Sequence, residues 1–215
     1  MSISLIISIV ATSVLFTIFK FFEKYKVVSI NAIVMNYMVA SALAFIIPEE
    51  TKPILYAINQ PWFPIIILLG FLFVMLFQVM AYSSQKIDIS TTTIANKITF
   101  IFPTIMGILF FKEPWNYLKI IGFSVAIASI ILSAENKRKF PKIKTYFVLL
   151  ILFFGGGFLE ILLSYSQKFL IVASDTSIFF GYLFLFAFIF GVLILLWRIK
   201  NGKSNPSKKD LFWGI

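Results

Sequence analysis

The sequence predicts an all-α membrane protein that crosses the bilayer several times, and three observations carry that prediction. Apolar residues fill 60% of the 215 positions and charged residues only 13%, with a mean hydropathy of +0.97. A soluble domain carries about twice that share of charge. The apolar residues fall in continuous runs long enough for a helix to cross a bilayer, whereas a membrane β-barrel would alternate apolar and polar residues. The gaps between runs are short and hold most of the basic residues, as loops between spans do.

Seven runs are predicted as spans, at residues 3–22, 27–47, 63–82, 89–111, 118–134, 145–166 and 177–197. The first has no basic residue before Lys20 and no small-residue cleavage site after it, so it reads as a retained span and not a signal peptide. Pro48, Pro53, Pro61 and Pro64 mark the gap between the second and third. In the fourth, Pro103 has no N–H to give the carbonyl of Thr99, which predicts a bend there. Pro114 precedes the fifth, Pro141 the sixth, and Pro206 the start of an eighth run at Leu211–Ile215. Trp62, Trp115 and Trp197 stand at span ends, where interfacial aromatics collect.

Loops 1–2, 3–4, 5–6 and 7–8 together hold fourteen Lys and Arg, against four in the other three loops. The positive-inside rule then places the odd-numbered loops in the cytoplasm and the N-terminus outside. The same rule accounts for the net charge of +10, so no nucleic-acid partner is expected. The chain has no His and no Cys, which excludes the usual zinc, haem and iron–sulfur sites and His-dependent nucleophilic catalysis. No metal or other cofactor is expected.

A few polar residues inside the spans are the candidates for chemistry. Lys97 lies about 12 Å into the fourth span by helix rise. A charge at that depth costs a few kcal/mol, so it should face the bundle interior or an aqueous cavity, or else snorkel to the surface. Asn96 adjoins it, and Thr92, Asn96 and Thr99 share a helix face. That face lines either a solute path or a hydrogen-bonded helix seam. Glu160 is the one acid within a span, about 10 Å from Lys97 along the bilayer normal by helix rise. A direct pair would need a tilted or broken helix, and Gly155-Gly156-Gly157 is a candidate break; close helix packing is the other reading. Asn36 and Gln78 read as buried amides that contact solute or bridge helices. Glu113 reads as orienting the turn into the fifth span.

Phe19-Lys20-Phe21 followed by a helix with Tyr37 is echoed by Gln167-Lys168-Phe169 followed by a helix with Tyr182. The echo divides the chain into a five-helix unit at 3–140 and a partial second unit at 145–215. An odd number of spans inverts the second copy, the layout of many secondary transporters. Ala81 to Ser90, the segment TIANKITFIFP at Thr93 to Pro103, and Phe110-Phe111-Lys112-Glu113-Pro114 with Gly122 resemble an EamA-type repeat of the drug/metabolite transporter superfamily. The resemblance implies ten helices in two inverted five-helix bundles. Against that count, this chain has seven helices and the start of an eighth, so 145–215 is expected to be a C-terminally incomplete second repeat of two helices and the start of a third. The family is usually drawn with both termini in the cytoplasm, opposite to the loop charges here.

The expected function is a secondary transporter in the cytoplasmic (inner) membrane, moving a small organic solute by alternating access, with a homodimer left open. Lys97, Asn96, Thr92, Thr99, Glu160, Asn36 and Gln78 are its predicted substrate-binding residues. The alternative is a non-transporting membrane subunit or an inactive fragment of a transporter. A membrane enzyme is disfavoured, since there is neither His nor Cys and no paired carboxylates.

Overall fold

The computed structural model describes residues 3–46, 52, 54–87, 89–99, 101–110, 117–118, 121–122, 124–125, 128, 143–202 and 207–214. Among these there is no strand. The elements are α1 (Ile3–Lys24), α2 (Ser29–Ile46), α3 (Ile54–Ile58), α4 (Phe63–Lys86), α5 (Ile89–Ile98), α6 (Ile101–Leu109), α7 (Ile143–Tyr165), α8 (Thr176–Lys200) and α9 (Lys208–Phe212). A π-helical turn, Ser166–Leu170, extends α7, and a 3-10 turn, Ala173–Asp175, leads into α8. Five segments are long and apolar enough to cross a membrane: Ser29–Ile46, Phe63–Lys86, Thr92–Leu109, Phe147–Leu170 and Ala173–Lys200. The 22 residues of α1 coincide with the first predicted run. The predicted fifth span, 118–134, lies largely outside the described residues, as does Glu113.

Two sequence expectations are corrected and one open alternative is decided. The fourth span is two helices with the chain interrupted at Thr99, not one bent helix. For Gly155-Gly156-Gly157 the close-packing reading stands over the break, since α7 runs unbroken through them. The start of the predicted eighth span is a five-residue helix folded against the N-terminal end of α2.

The helices pack as two units. One comprises Met1–Glu23 and Val79–Ile161, the other Lys24–Gln78 and Leu162–Ile215. In the second unit α2 and α8 pack antiparallel along their lengths. Ser41 Oγ donates to the carbonyl of Gly181 at 3.0 Å, while seven residues earlier Val34 meets Gly191. The N-terminal half of α4 joins them: a Cβ on Gly70 would lie 2.7 Å from Phe186 Cβ and 2.9 Å from the Ala187 amide nitrogen. Small residues at such seams let helix backbones approach closely where lipid supplies no hydrophobic drive between helices.

Each end of this unit is closed by one buried carboxylate. Asp175, 1% exposed, accepts from Lys52 Nζ, from Tyr56 Oη at 2.7 Å and from Ser174 Oγ at 3.2 Å. That bond raises both the Lys52 ammonium and the Tyr56 hydroxyl above their ordinary pKa values. At the other end Asp210, 3% exposed, accepts from the Val28 amide at 3.1 Å, Asn31 Nδ2 at 2.9 Å and the Ser207 amide at 3.2 Å. Its own amide donates to Ser207 Oγ at 3.2 Å, which makes a reciprocal cap at the start of α9. One side chain thus serves the entries of two helices. Loops 2–3 and 6–7 meet at the Asp175 end, loops 1–2 and 7–8 at the Asp210 end, which is the pairing their Lys and Arg content groups together.

Burial acts to raise the Asp210 carboxyl, but the bonds from Asn31, Val28 and Ser207 outweigh it and hold it below the usual carboxylate range. A carboxyl lowered on folding stabilises the folded state above its unfolded value of about 3.9, and that contribution is lost as pH falls through the lower folded value. In a variant with Trp62, Trp115 and Trp197 replaced by Phe, so that Trp213 reports alone, emission is expected to change on acidification from about pH 5 to about pH 2. Asp210→Ala is expected to give the acid-type emission already at neutral pH, losing about 1–2 kcal/mol per cap. Unchanged emission in the variant would show that Asp210 does not hold α9 in place.

Candidate functional site

Five of the seven predicted site residues fall in the first unit, around the interruption between α5 and α6. The break has its origin at Pro103. Pro103 has no N–H for the Thr99 carbonyl, and the amide of Phe102 bonds it instead, at 3.0 Å, across three residues where an α-helix spans four. The Thr99 hydroxyl turns back onto the carbonyl of Asn96 at 2.6 Å. The carbonyls at the C-terminus of a half-helix carry partial negative charge, and Lys97 sits in that last turn. The break therefore lowers the cost of a lysine at this depth.

The stripe predicted on this helix divides between two roles. Thr92 is fully buried and shares a 2.7 Å hydrogen bond with Ser83 of α4. Thr99, also buried, lies against Gly156 of α7, where a Cβ would come within 2.8 Å of Thr99 Cγ2. A Cβ on Gly157 would meet the ring of Phe102, which is packed on Phe153 and Phe154. Thr92 and Thr99 thus stand in helix seams, and the α7 glycines serve close packing there. Asn96 is half-buried between them and Lys97 is exposed.

Glu160, half-buried on α7, is near enough to Lys97 to feel its charge, yet the two form no ion pair within 4 Å. Among the described residues the arrangement is a cation without an ion pair at a helix break, with an acid on the neighbouring helix. Such a pair can hold an anionic or zwitterionic solute between them, or exchange a proton through water.

Asn36 and Gln78 belong to the second unit. Asn36 is exposed, contrary to the expectation of a buried amide. Among the described residues Gln78 Nε2 is buried with no hydrogen-bond partner, as are Tyr37 Oη and Trp62 Nε1. Tyr37 is ringed by Phe77 at 5.6 Å and Phe184 at 6.1 Å. Sequence reasoning missed Asp175 and Asp210. Ser207-x-x-Asp210 has the spacing of a capping box and was a signal for the second; nothing local announced that Lys52 and Tyr56 would converge on the first.

Among the described residues no group of His, Cys, Asp and Glu is arranged to hold a metal ion. Comparison with known proteins returns no matching family model, no matching curated protein and no matching solved structure.

Proposed function

We propose that the chain is a secondary transporter, or the greater part of one, that moves a small organic solute across the cytoplasmic membrane by alternating access. The observation that carries this reading is the interrupted span Thr92–Leu109, with Lys97 and Asn96 in the last turn of its first half. Non-helical backbone at membrane depth is tolerated where it is buried in protein or lines a water-filled cavity, and transporters build their solute sites at such breaks. Two features support it. Glu160 stands close enough to Lys97 to complete a two-charge site, which suits a solute bearing a carboxylate. Gln78 Nε2 leaves a buried amide without a partner, the kind of group a polar solute satisfies. The sequence resemblance to EamA-type repeats and the inverted five-helix arrangement it implies point the same way.

The test is counterflow in proteoliposomes preloaded in turn with amino acids, organic acids, amines and nucleosides. Saturable exchange of one class is the expected result, with carboxylate-bearing solutes favoured. Correctly inserted protein that exchanges none of them would overturn the proposal in favour of a non-transporting membrane subunit.

A further inference from the structure

We infer that Asp175 is a two-position switch. In one position its carboxylate holds a strap, formed by Lys52, α3 and the turn at 59–62, over the end of the second unit. In the other it releases the strap and caps α8 instead. The first position is the one seen. Lys52 Nζ and Tyr56 Oη both donate to the carboxylate, the latter at 2.7 Å, and the Lys52 ammonium lies 4.6 Å from the centroid of the Tyr56 ring. Within the strap Ala57 and Trp62 are each 0% exposed, and the Trp62 ring meets Phe179 of α8 edge-on at 5.7 Å.

Two observations point to the second position. Asp175 occupies the N-cap of α8, where a carboxylate ordinarily accepts from the amides of the first helical turn, yet its side chain makes no such bond. It is turned to the strap, with the neighbouring Ser174 Oγ as a third donor at 3.2 Å. The carboxylate thus has a second set of donors in its own helix, and leaving the strap costs it less than two lost bonds. The other observation is Trp62. Among the described residues its buried indole N–H has no acceptor. Such a group works against the strapped form and is relieved when water reaches it. The five residues of α3 are too few to hold as a helix without tertiary contacts. Leu55 and Ile58 on it are exposed while Ala57 is buried, so one face alone is held. The closed form is set by the Asp175 bonds to the strap, the open form by a helix cap and a hydrated indole. The switch needs no solute and does not depend on transport.

The experiment uses the full chain in nanodiscs. The chain has no cysteine, so Ala57→Cys carries the only thiol, and its labelling by a water-soluble maleimide measures strap opening. Ala187→Cys, buried on α8, reports opening of the unit as a whole. Lys52→Met/Tyr56→Phe is expected to speed labelling at Ala57→Cys about tenfold, through the loss of hydrogen bonds to a charged group, and to leave Ala187→Cys unlabelled. Asp175→Ala is expected to speed labelling as much and to lower the melting temperature about 2–4 °C further, because it removes the cap along with the latch. A fixed ion pair gives the reverse order of melting, since Lys52→Met/Tyr56→Phe then strands a buried carboxylate. That order, equal melting temperatures, an unchanged labelling rate or equal labelling at both sites would overturn the proposal. Should Ala57→Cys not fold, the chain with Trp115, Trp197 and Trp213 replaced by Phe reports through Trp62. Red-shifted emission is then expected in both variants, and unshifted emission would overturn the proposal.

Discussion

Lys97→Met is expected to abolish solute exchange while leaving the chain folded, inserted and at least as heat-stable as the parent. The swap deletes the charge and keeps much of the side-chain length. Lys97 lies in the last turn of α5, exposed and, among the described residues, with no ion-pair partner within 4 Å, Glu160 included. A lysine at span depth costs roughly 2.5–3.5 kcal/mol on insertion scales. The half-helix C-terminus returns only about 0.3–1 kcal/mol of that. Most of the cost is therefore left over, so removal should be neutral or stabilising for the fold. Measured side by side, counterflow and melting temperature separate the two roles. Full exchange in Lys97→Met would remove Lys97 from the site, and the α5 stripe would then read as helix packing alone.

The second large effect is on stability. Gly70→Val is expected to destabilise the α4–α8 seam by about 1–3 kcal/mol, the usual penalty for overpacking a close contact. The groups a Cβ would strike are Phe186 Cβ, at 2.7 Å, and the Ala187 amide nitrogen, at 2.9 Å. Neither is the mobile tip of a side chain, so the helices must separate to admit the methyl groups. Gly122→Val is the control, because no described residue lies within 4 Å of a Cβ there. A shared fall in the detergent melting temperature for both variants would mean that the loss reflects glycine chemistry in general and not the seam.

What was legible in the sequence was whatever follows from length, hydropathy and local chemistry. The runs at 27–47, 63–82 and 177–197 reappear as α2, α4 and α8 because a continuous apolar stretch in a membrane has no alternative to the helix. Pro103 announced trouble at Thr99, since a missing N–H is a local fact. The extent of the damage was not legible: whether a proline bends a helix or divides it depends on what takes the freed carbonyl, and here it is Phe102. For the glycines of α7 the sequence left a break and close packing both open, because the partner that decides for packing, Phe102, is about fifty residues away. Asn36 and Gln78 looked alike as amides within spans, yet one is exposed and the other buried, a difference set by rotation about the helix axis. Glu160 could be paired with Lys97 only in depth, because helix rise fixes height and says nothing of azimuth.

Asp210 sets an order on assembly. Its bonds to Val28 and Asn31 join residues 182 and 179 positions apart, and ribosomes add roughly 5–20 residues per second. The entry of α2 therefore waits on the order of ten seconds or more after synthesis for its capping carboxylate. Until then Asn31 has a different partner or water, and the loop before α2 is held only by its own turn. The helix inserted second is thus among the last to be finished. A nascent chain halted before residue 210 would present that end of α2 open to the insertion machinery, and only passage of the α9 segment closes it.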